Sequence, residues 1–531
     1  MDSFDVPFAV HENEWYEIIT ALLGHQIQVS INDIQIFSIS ISDYYTAGTT
    51  LEGSWGFGPW QDQIAYVRDV KVTSTSNGTL LYSNPMKNSS ILLEYGVVEN
   101  KYAQCVDGAK RDRLIWLGDF FHTTRIVGAS TQRWEQITGT FQTLLDWQIS
   151  NGELPISPPM GYDASTTGYF ATAGYYSLPD YQILGFLAFV GYVQDSNDIA
   201  FVVDTWPQWK SQIKFLLNSI NNTTGLVTLE GYAFIGPYDG GSAISCAVVQ
   251  ALNGASDIAL AINDTVSATL YQALSTKLAT AINERLWNEE LGLYSNALAD
   301  PANFSVAGLS FAITSGVASP ERALRSLAHL NSLRLGPGYK DTSSDNSSDS
   351  SVKISPNTNG FLLAALMEAN QTATTKFLLE SVWGAMLRNK STSTGASWEY
   401  LNQDAQPGLG LFTSGSHPWG GAATYVLTKY VAGLKATALG HKSWQVMPAY
   451  CGFGLDGARA KVDTPYGPMS VKWSTNSTWL DVEIVGPRGT RGTLVLNRDF
   501  DCYGNSTAAA KNPTTVKALE GGQTHVLSFR L

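Results

Sequence analysis

Between about residue 105 and residue 434 the chain repeats one pattern: an apolar stripe at helical spacing, a long polar loop, then another stripe. The clearest stripe spans residues 265–287, where Leu270, Leu274, Leu278, Ile282 and Leu286 recur every four residues and so share one helix face. Comparable helical stretches are residues 113–130, 132–150, 181–194, 206–220, 242–253, 320–330, 361–369, 374–388 and 421–434. No convincing strand interrupts them. Helices in pairs joined by long loops predict an α/α toroid, in which inner helices line a central cavity.

The flanks read differently. In residues 25–31, Ile27, Val29 and Ile31 alternate with Gln26, Gln28 and Ser30, and Asn32-Asp33 follows as a turn. Phe37, Ile39 and Ile41 alternate with serines; a glycine-rich stretch at 53–58 and a further strand near 65–72 come next. These are too few strands to close a sandwich, which predicts further sequence upstream. After about residue 440 strands return: residues 470–474 pair with 479–485 across Thr475-Asn476, and residues 492–496 add another. At 531 residues the chain exceeds what one core supports. The expected division is a partial β-sandwich at 1–98, the helical domain at 99–438 and a small β-sandwich at 439–531. Residues 341–351 are nearly all Ser, Asp and Asn and predict a mobile surface loop.

A formal charge of -13 and a pI near 5.0 argue against nucleic acid or an anionic membrane as partner. No run of 18 apolar residues is present, so no membrane span is expected, and the first residues lack the basic-then-apolar order of a signal peptide. Eleven Asn-X-Ser/Thr sequons, at Asn77, Asn88, Asn221, Asn222, Asn263, Asn303, Asn346, Asn370, Asn389, Asn476 and Asn505, predict a secreted glycoprotein whose N-terminus, signal included, lies outside this sequence. Of the four cysteines, Cys451 and Cys502 are candidates for one disulfide, and Cys105 and Cys246 read as lone buried thiols. No Cys/His cluster has metal-ligand spacing; neither metal nor cofactor is expected.

One segment stands out chemically. Residues 107–119 read Asp-Gly-Ala-Lys-Arg-Asp-Arg-Leu-Ile-Trp-Leu-Gly-Asp, with three carboxylates and two arginines around Trp116, and Leu114, Ile115 and Leu117 as apolar filling. In a chain only 15% charged this is no ordinary solvated helix face, which would carry charges at i, i+4 without a large aromatic between them. It fits a sugar site, with carboxylates for acid–base work, arginine as a fork and tryptophan as a stacking platform. The same residues also fit a helix N-terminus with a structural Asp–Arg network.

Glycoside cleavage needs two carboxyl groups across the scissile bond, so a second acid is expected far along the chain. Thr394-Gly-Ala-Ser-Trp-Glu399 supplies one in a turn of small residues, followed by Ser414-Gly-Ser-His-Pro-Trp-Gly420 opening the next helix. Glu399 can serve as base, His417 as hydroxyl partner, and Trp398 or Trp419 as a wall. Taken singly, Glu399 also reads as a surface loop acid and His417 as a histidine satisfied by backbone.

These elements resemble the α-L-rhamnosidases of glycoside hydrolase family 78, particularly the shorter fungal type. The resemblance rests on the motif at 107–119, on Gly395-Ala-Ser-Trp-Glu399 and on Ser416-His-Pro-Trp-Gly420, and extends through Val431-Ala-Gly-Leu434 to the segment around Trp444–Pro448. It implies a six-hairpin (α/α)6 barrel between β-sandwich domains and hydrolysis of terminal α-L-rhamnosides with inversion. It places Asp112 at the general acid position and Glu399 at the general base position. Asp107, Arg111, Trp116, Asp119 and His417 fall on rhamnose-binding positions, and residues 176–180 and 232–234 lie where further aromatic walls stand. Many family members carry Glu where this chain has Asp112. The expected partner is a rhamnose-containing glycoside. The mechanism expected has Asp112, held protonated by its pocket, donating to the glycosidic oxygen while Glu399 deprotonates water on the opposite face. Asp107 and Asp119 would raise the affinity of Asp112 for its proton, and Arg111 and Arg113 would oppose them. Two other readings use the same residues: a six-hairpin enzyme acting on a uronic acid, and a non-catalytic glycan-binding relative.

Overall fold

The computed structural model describes residues 4–43, 56–58, 64–94, 96–110, 112–163, 178–229, 234–237, 239–476, 478–496 and 515–531. Arg111, Cys502 and Asn505, singled out above, lie outside the described residues, as do residues 176–177 and 232–233 of the expected aromatic walls. The chain divides into two compact units, Met1–Val98 and Glu99–Leu531.

In the first unit, β1 (Ile18–Leu23), β2 (Gln26–Ile31) and β3 (Ile34–Ser40) form an antiparallel meander. Asn32 and Asp33 both have positive φ (49° and 64°), the conformation a two-residue hairpin turn requires and one that Asn and Asp tolerate. A second hairpin joins β4 (Val70–Thr73) to β5 (Leu80–Asn84). Ile18, Ile19, Leu22, Leu23 and Ile34 are exposed, and Ile41 is the one buried apolar side chain among the described residues of this unit. Among the described residues of this unit no two-sheet core is built.

The second unit holds the helices. An inner ring consists of α1 (Phe120–Ala129), α3 (Pro179–Ser196), α5 (Ser242–Ala261), α7 (Val306–Thr314), α9 (Pro356–Glu368) and α11 (Ala422–Val426), each packed on the next, with α11 returning to α1. Between them run the outer helices α2 (Trp134–Asp146), α4 (Ile199–Asn218), α6 (Thr265–Arg285), α8 (Pro320–Leu327) and α10 (Thr372–Leu378). This closed ring is the six-hairpin toroid expected from the sequence. Local chemistry sets the helix starts. Asp198, Asp264, Ser305 and Ser319 cap α4, α6, α7 and α8 by accepting from backbone N–H groups in the first turn, and Pro179, Pro320 and Pro356 occupy first-turn positions that need no N–H. Helix α5 is apolar and long enough to cross a membrane, but 78% of its apolar window is buried in the ring, as befits a core helix.

Several boundaries differ from the sequence reading. The helix expected from residue 113 begins at Phe120, because Asp112 and Arg113 have φ of 58° and 52° and cannot sit in a right-handed helix. Helix α7 went unpredicted: seven of its nine residues are buried, so no polar face marks the helical period. Two-residue ladders, Trp287–Asn288 with Leu293–Tyr294 and Arg334–Leu335 with Gly338–Tyr339, interrupt what read as purely helical sequence.

Past the barrel lie two four-stranded sheets. One has the order β6 (Leu434–Ala436), β7 (Ser443–Val446), β11 (Arg491–Leu496), β12 (Thr515–Glu520). The other has the order β8 (Gly457–Thr464), β9 (Gly467–Thr475), β10 (Trp479–Val485), β13 (Thr524–Arg530). Strands β9 and β10 pair with Ser470 opposite Val485 and Thr475 opposite Leu480. Trp444, Trp473, Met469 and Leu480 fill the core of this β region. Cys451 is disulfide-bonded, whereas Cys105 and Cys246 are free thiols whose pKa values burial pushes up.

Candidate active site

The segment before α1 is a closed loop. The Asp107 N–H donates to the Leu114 carbonyl (2.9 Å), and the Leu114 N–H donates to Oδ1 of Asp107 (3.0 Å). This pair of hydrogen bonds pins the base of the turn that carries Asp112. Beyond it Ile115 and Leu117 are fully buried, and the Leu117 N–H donates to the Ile156 carbonyl (2.8 Å), which anchors the loop in the barrel core. Asp119, directly before α1, aims its carboxylate into the site instead of capping the helix. Its Oδ1 accepts from the Tyr181 hydroxyl (2.8 Å), and its Oδ2 lies 3.2 Å from Nε2 of His417.

The second segment is laced onto itself. The Glu399 N–H donates to the Ser414 carbonyl (3.0 Å), and the Ser414 N–H donates to Oε2 of Glu399 (3.1 Å). The Trp419 Nε1 donates to the Glu399 carbonyl (2.9 Å), and the His417 N–H donates to the Ser397 carbonyl (2.9 Å). Glu399 is thereby buried and held at both backbone and side chain. Trp398 lies behind it in the core, 1% exposed, and is not a wall; Trp419 packs edge-on against both His417 and Tyr400.

Glycine lets the two segments meet. A Cβ on Gly108 would lie 2.7 Å from the Ser414 Oγ and 3.3 Å from Nδ1 of His417, so only a bare backbone fits between them. Lys110 adds a clasp, donating to the carbonyls of Leu411 and Thr413. Ligating atoms of Asp107, Asp119 and His417, drawn from residues some 300 positions apart, consequently fall within 4.8 Å of one another. That spacing would also suit a small cation. Asp119 is already engaged by Tyr181 and His417, while Oδ2 of Asp107 and Nδ1 of His417 are buried and unpartnered. One acceptor and one imidazole nitrogen side by side match a pair of sugar hydroxyls.

The electrostatics follow from this crowding. Burial, reinforced by Asp119 and Asp112, lifts the Asp107 carboxyl to about 6 against the opposing Leu114 N–H and His417. Burial would lower the His417 pKa, but the hydrogen bond and charge of Asp119, with Glu399 and Asp107 behind it, outweigh that and raise it. The imidazole therefore holds its proton more tightly than a free one, beside the carboxyl groups of Asp119, Glu399 and Asp107.

Of the residues expected from sequence, Asp107, Asp119, Glu399 and His417 converge on this buried centre. Trp116 is half-buried and edge-on to Tyr181, with centroids 6.2 Å apart. Asp112 occupies an exposed position on the strained turn, close enough for its charge to act on Asp107. The expectation that a pocket encloses Asp112 is corrected accordingly: the buried carboxyl with raised proton affinity is Asp107. Sequence reading gave Tyr181 no site role, placed Asp180 and Phe234 only within the segments where the resemblance puts aromatic walls, and quoted Ser414 only as part of the second motif. Fully buried Asp180 accepts from the N–H groups of Phe234 (2.8 Å) and Ile235 (3.1 Å), and the Phe234 ring contacts both Tyr181 (5.7 Å) and Trp419 (6.1 Å). An acid followed by Tyr at the start of α3 was the available signal.

Comparison with known proteins bears on the fold that carries these residues. Residues 433–510 match the bacterial α-L-rhamnosidase C-terminal domain. No curated protein matches the sequence. Among solved structures, the chain is similar to a family 78 rhamnosidase from Bacillus sp. GL1 (TM-score 0.59, 20% identity, covering 74% of this chain and 40% of that one). It is likewise similar to an α-L-rhamnosidase from Aspergillus terreus (0.60, 16%, 81% and 47%) and to one from Streptomyces avermitilis (0.60, 17%, 80% and 39%). The chain spans less than half the length of these relatives. It has the six-hairpin fold of these structures, and its residues 433–510 are similar to the bacterial α-L-rhamnosidase C-terminal domain.

Proposed function

We propose that this protein is a glycoside hydrolase that releases terminal α-L-rhamnose by inverting acid–base hydrolysis. The observation that carries the reading is the convergence of Asp107, Asp119, His417 and Glu399, from two distant segments, on one buried centre. The Streptomyces avermitilis relative was solved with L-rhamnose, which supports the choice of sugar. In this reading the Ser414 N–H holds Glu399 so that its other oxygen takes the proton from water. His417 and Asp107 bind sugar hydroxyls, and Trp116 and Phe234 flank the ring. Asp112, at the open side, protonates the departing oxygen. Proton NMR of the first product formed tests inversion directly: β-L-rhamnose is expected, and initial α-L-rhamnose would overturn the assignment.

One observation favours a second assignment for the acid. Asp107 is buried and carries a raised pKa, as a proton donor near neutral pH should. Leaving-group dependence separates the two. Removing the acid hurts poor leaving groups far more than activated aryl ones, whereas removing a hydroxyl-binding residue hurts both alike. Asp112→Asn is expected to show the first pattern and Asp107→Asn the second; the reverse would move the acid to Asp107.

The sequons favour secretion as a glycoprotein. Asn77, Asn88, Asn222, Asn263, Asn346 and Asn476 stand at exposed positions where an oligosaccharide meets no packing. Digestion of the natively produced protein with an N-glycanase should increase its gel mobility; unchanged mobility would remove this support.

A further inference from the structure

Resting on the rhamnosidase reading, we infer that Leu411 and Phe412 form the leaving-group platform of this site and select an aromatic aglycone. Leu411 is 94% exposed and Phe412 64% exposed, adjacent on the single turn Gly410–Phe412. Isolated exposed apolar residues are ordinary; this pair is held in place. The Phe412 N–H donates to the Leu409 carbonyl (3.1 Å), the Thr413 N–H to the Gly410 carbonyl (3.2 Å), and the Leu409 N–H to Oγ1 of Thr413 (2.7 Å). Gly410, at φ 57°, makes the turn possible. The next residue after Thr413 is Ser414, whose N–H holds Glu399.

The link to the acid fixes which part of a substrate this turn meets. Lys110, two residues before Asp112, donates to the carbonyls on both sides of Phe412, those of Leu411 and Thr413. The turn and the acid loop are thereby one clasped unit. A general acid must stand beside the glycosidic oxygen it protonates, so whatever flanks the acid loop faces the leaving group, not the rhamnose. The side chains offered there are an aliphatic chain and a phenyl ring. The neighbouring ammonium is committed to backbone carbonyls. A second sugar would demand hydrogen-bonding partners for its hydroxyls, whereas a flat aromatic aglycone gains by covering apolar surface.

The test compares kcat/KM on 2-naphthyl α-L-rhamnoside with that on a rhamnosyl-glucose disaccharide, in the full chain and in Leu411→Ser and Leu411→Trp. Each substrate keeps its leaving-group chemistry in every protein, so the change in the ratio of the two isolates aglycone binding. Leu411→Ser should lower the aryl-over-disaccharide ratio about fivefold through KM, as expected for uncovering part of one aliphatic side chain. Leu411→Trp should hold or raise it. A ratio unchanged in both variants, or a preference of the unsubstituted protein for the disaccharide that Leu411→Ser leaves intact, overturns the platform. Absence of turnover on either rhamnoside overturns the rhamnosidase reading itself, an outcome distinct from an unchanged ratio.

Discussion

Glu399 lies in an irregular segment whose backbone and side chain both bond to Ser414, whereas Asp112 lies on an exposed turn with two successive residues at positive φ. The two carboxylates of the proposed reaction are thus positioned by opposite means. A base that works on water needs one fixed geometry, and a buried carboxylate held at one oxygen by the Ser414 N–H supplies it without reorganisation. An acid that serves the leaving group must stand where the rest of the substrate departs, at the open side. There no core packing is available to hold it. The left-handed conformations of Asp112 and Arg113 cost about 1 kcal/mol each, a strain offset by the Asp107–Leu114 bonds and the Lys110 clasp. The base is fixed by burial and the acid by a strained turn tied at its ends.

The sharpest way to break this contrast is Glu399→Gln. The amide keeps the Ser414 bond and the local shape but cannot take a proton, so kcat should fall by about 10²-fold or more, with rhamnose affinity by calorimetry largely kept. A variant with near-native kcat would show that the ordered carboxylate is structural.

Asp180 couples the two sides, because the Phe234 backbone it holds presents a ring to both Tyr181 and Trp419. Burial raises its carboxyl to about 6. With the folded pKa above the unfolded value, its contribution to stability is present in full below about pH 4 and is lost as pH rises through 6. Asp180→Asn should therefore reduce the loss of stability between pH 4 and pH 7 by about 1–3 kcal/mol, measured by denaturant unfolding at each pH. Parallel profiles for the two proteins would show that Asp180 is ionised at no cost.

Gly108→Ala probes the seam between the loops. Its Cβ would press on Ser414 and His417, so kcat/KM should fall about tenfold with about 1 kcal/mol of stability, and Ser414→Ala in the same chain should restore part of both. If Gly108→Ala is silent, the loops have slack that the contact distances deny. The smallest effect belongs to Arg113→Gly. Relief of the left-handed strain and the added freedom of the unfolded chain nearly cancel, leaving stability within about 0.5 kcal/mol; a larger loss would mean that the Arg113 side chain itself holds the acid turn.

The helical repeat was legible because each outer helix buries one stripe and exposes the rest. Residues 265–287 announced themselves for that reason, and α7, buried nearly all round, did not. The tight turn at Asn32-Asp33 and the pairing of β9 with β10 were legible too, since both are set by neighbours in sequence. Within the site, Asp107, Asp119, Glu399 and His417 could be named from two motifs because acids and a histidine amid small residues and tryptophans are rare in so weakly charged a chain. Tyr181 carries no such mark, and the segments holding Phe234 and Ser414 were noted without a role for either; they matter through what folding brings beside them.

By itself the sequence determined the alternation of helices and loops, the β-rich flanks and the short list of side chains able to do the chemistry, all properties of local spacing and residue type. Closure of the helical ring decided the rest. It brought residues near 110 against residues near 415 through a gap that Gly108 leaves open, buried Asp107 while leaving Asp112 exposed, and raised the proton affinity of His417 by placing Asp119, Glu399 and Asp107 around it. Proton affinity and burial depend on neighbours in space, and those neighbours exist only once the chain is folded.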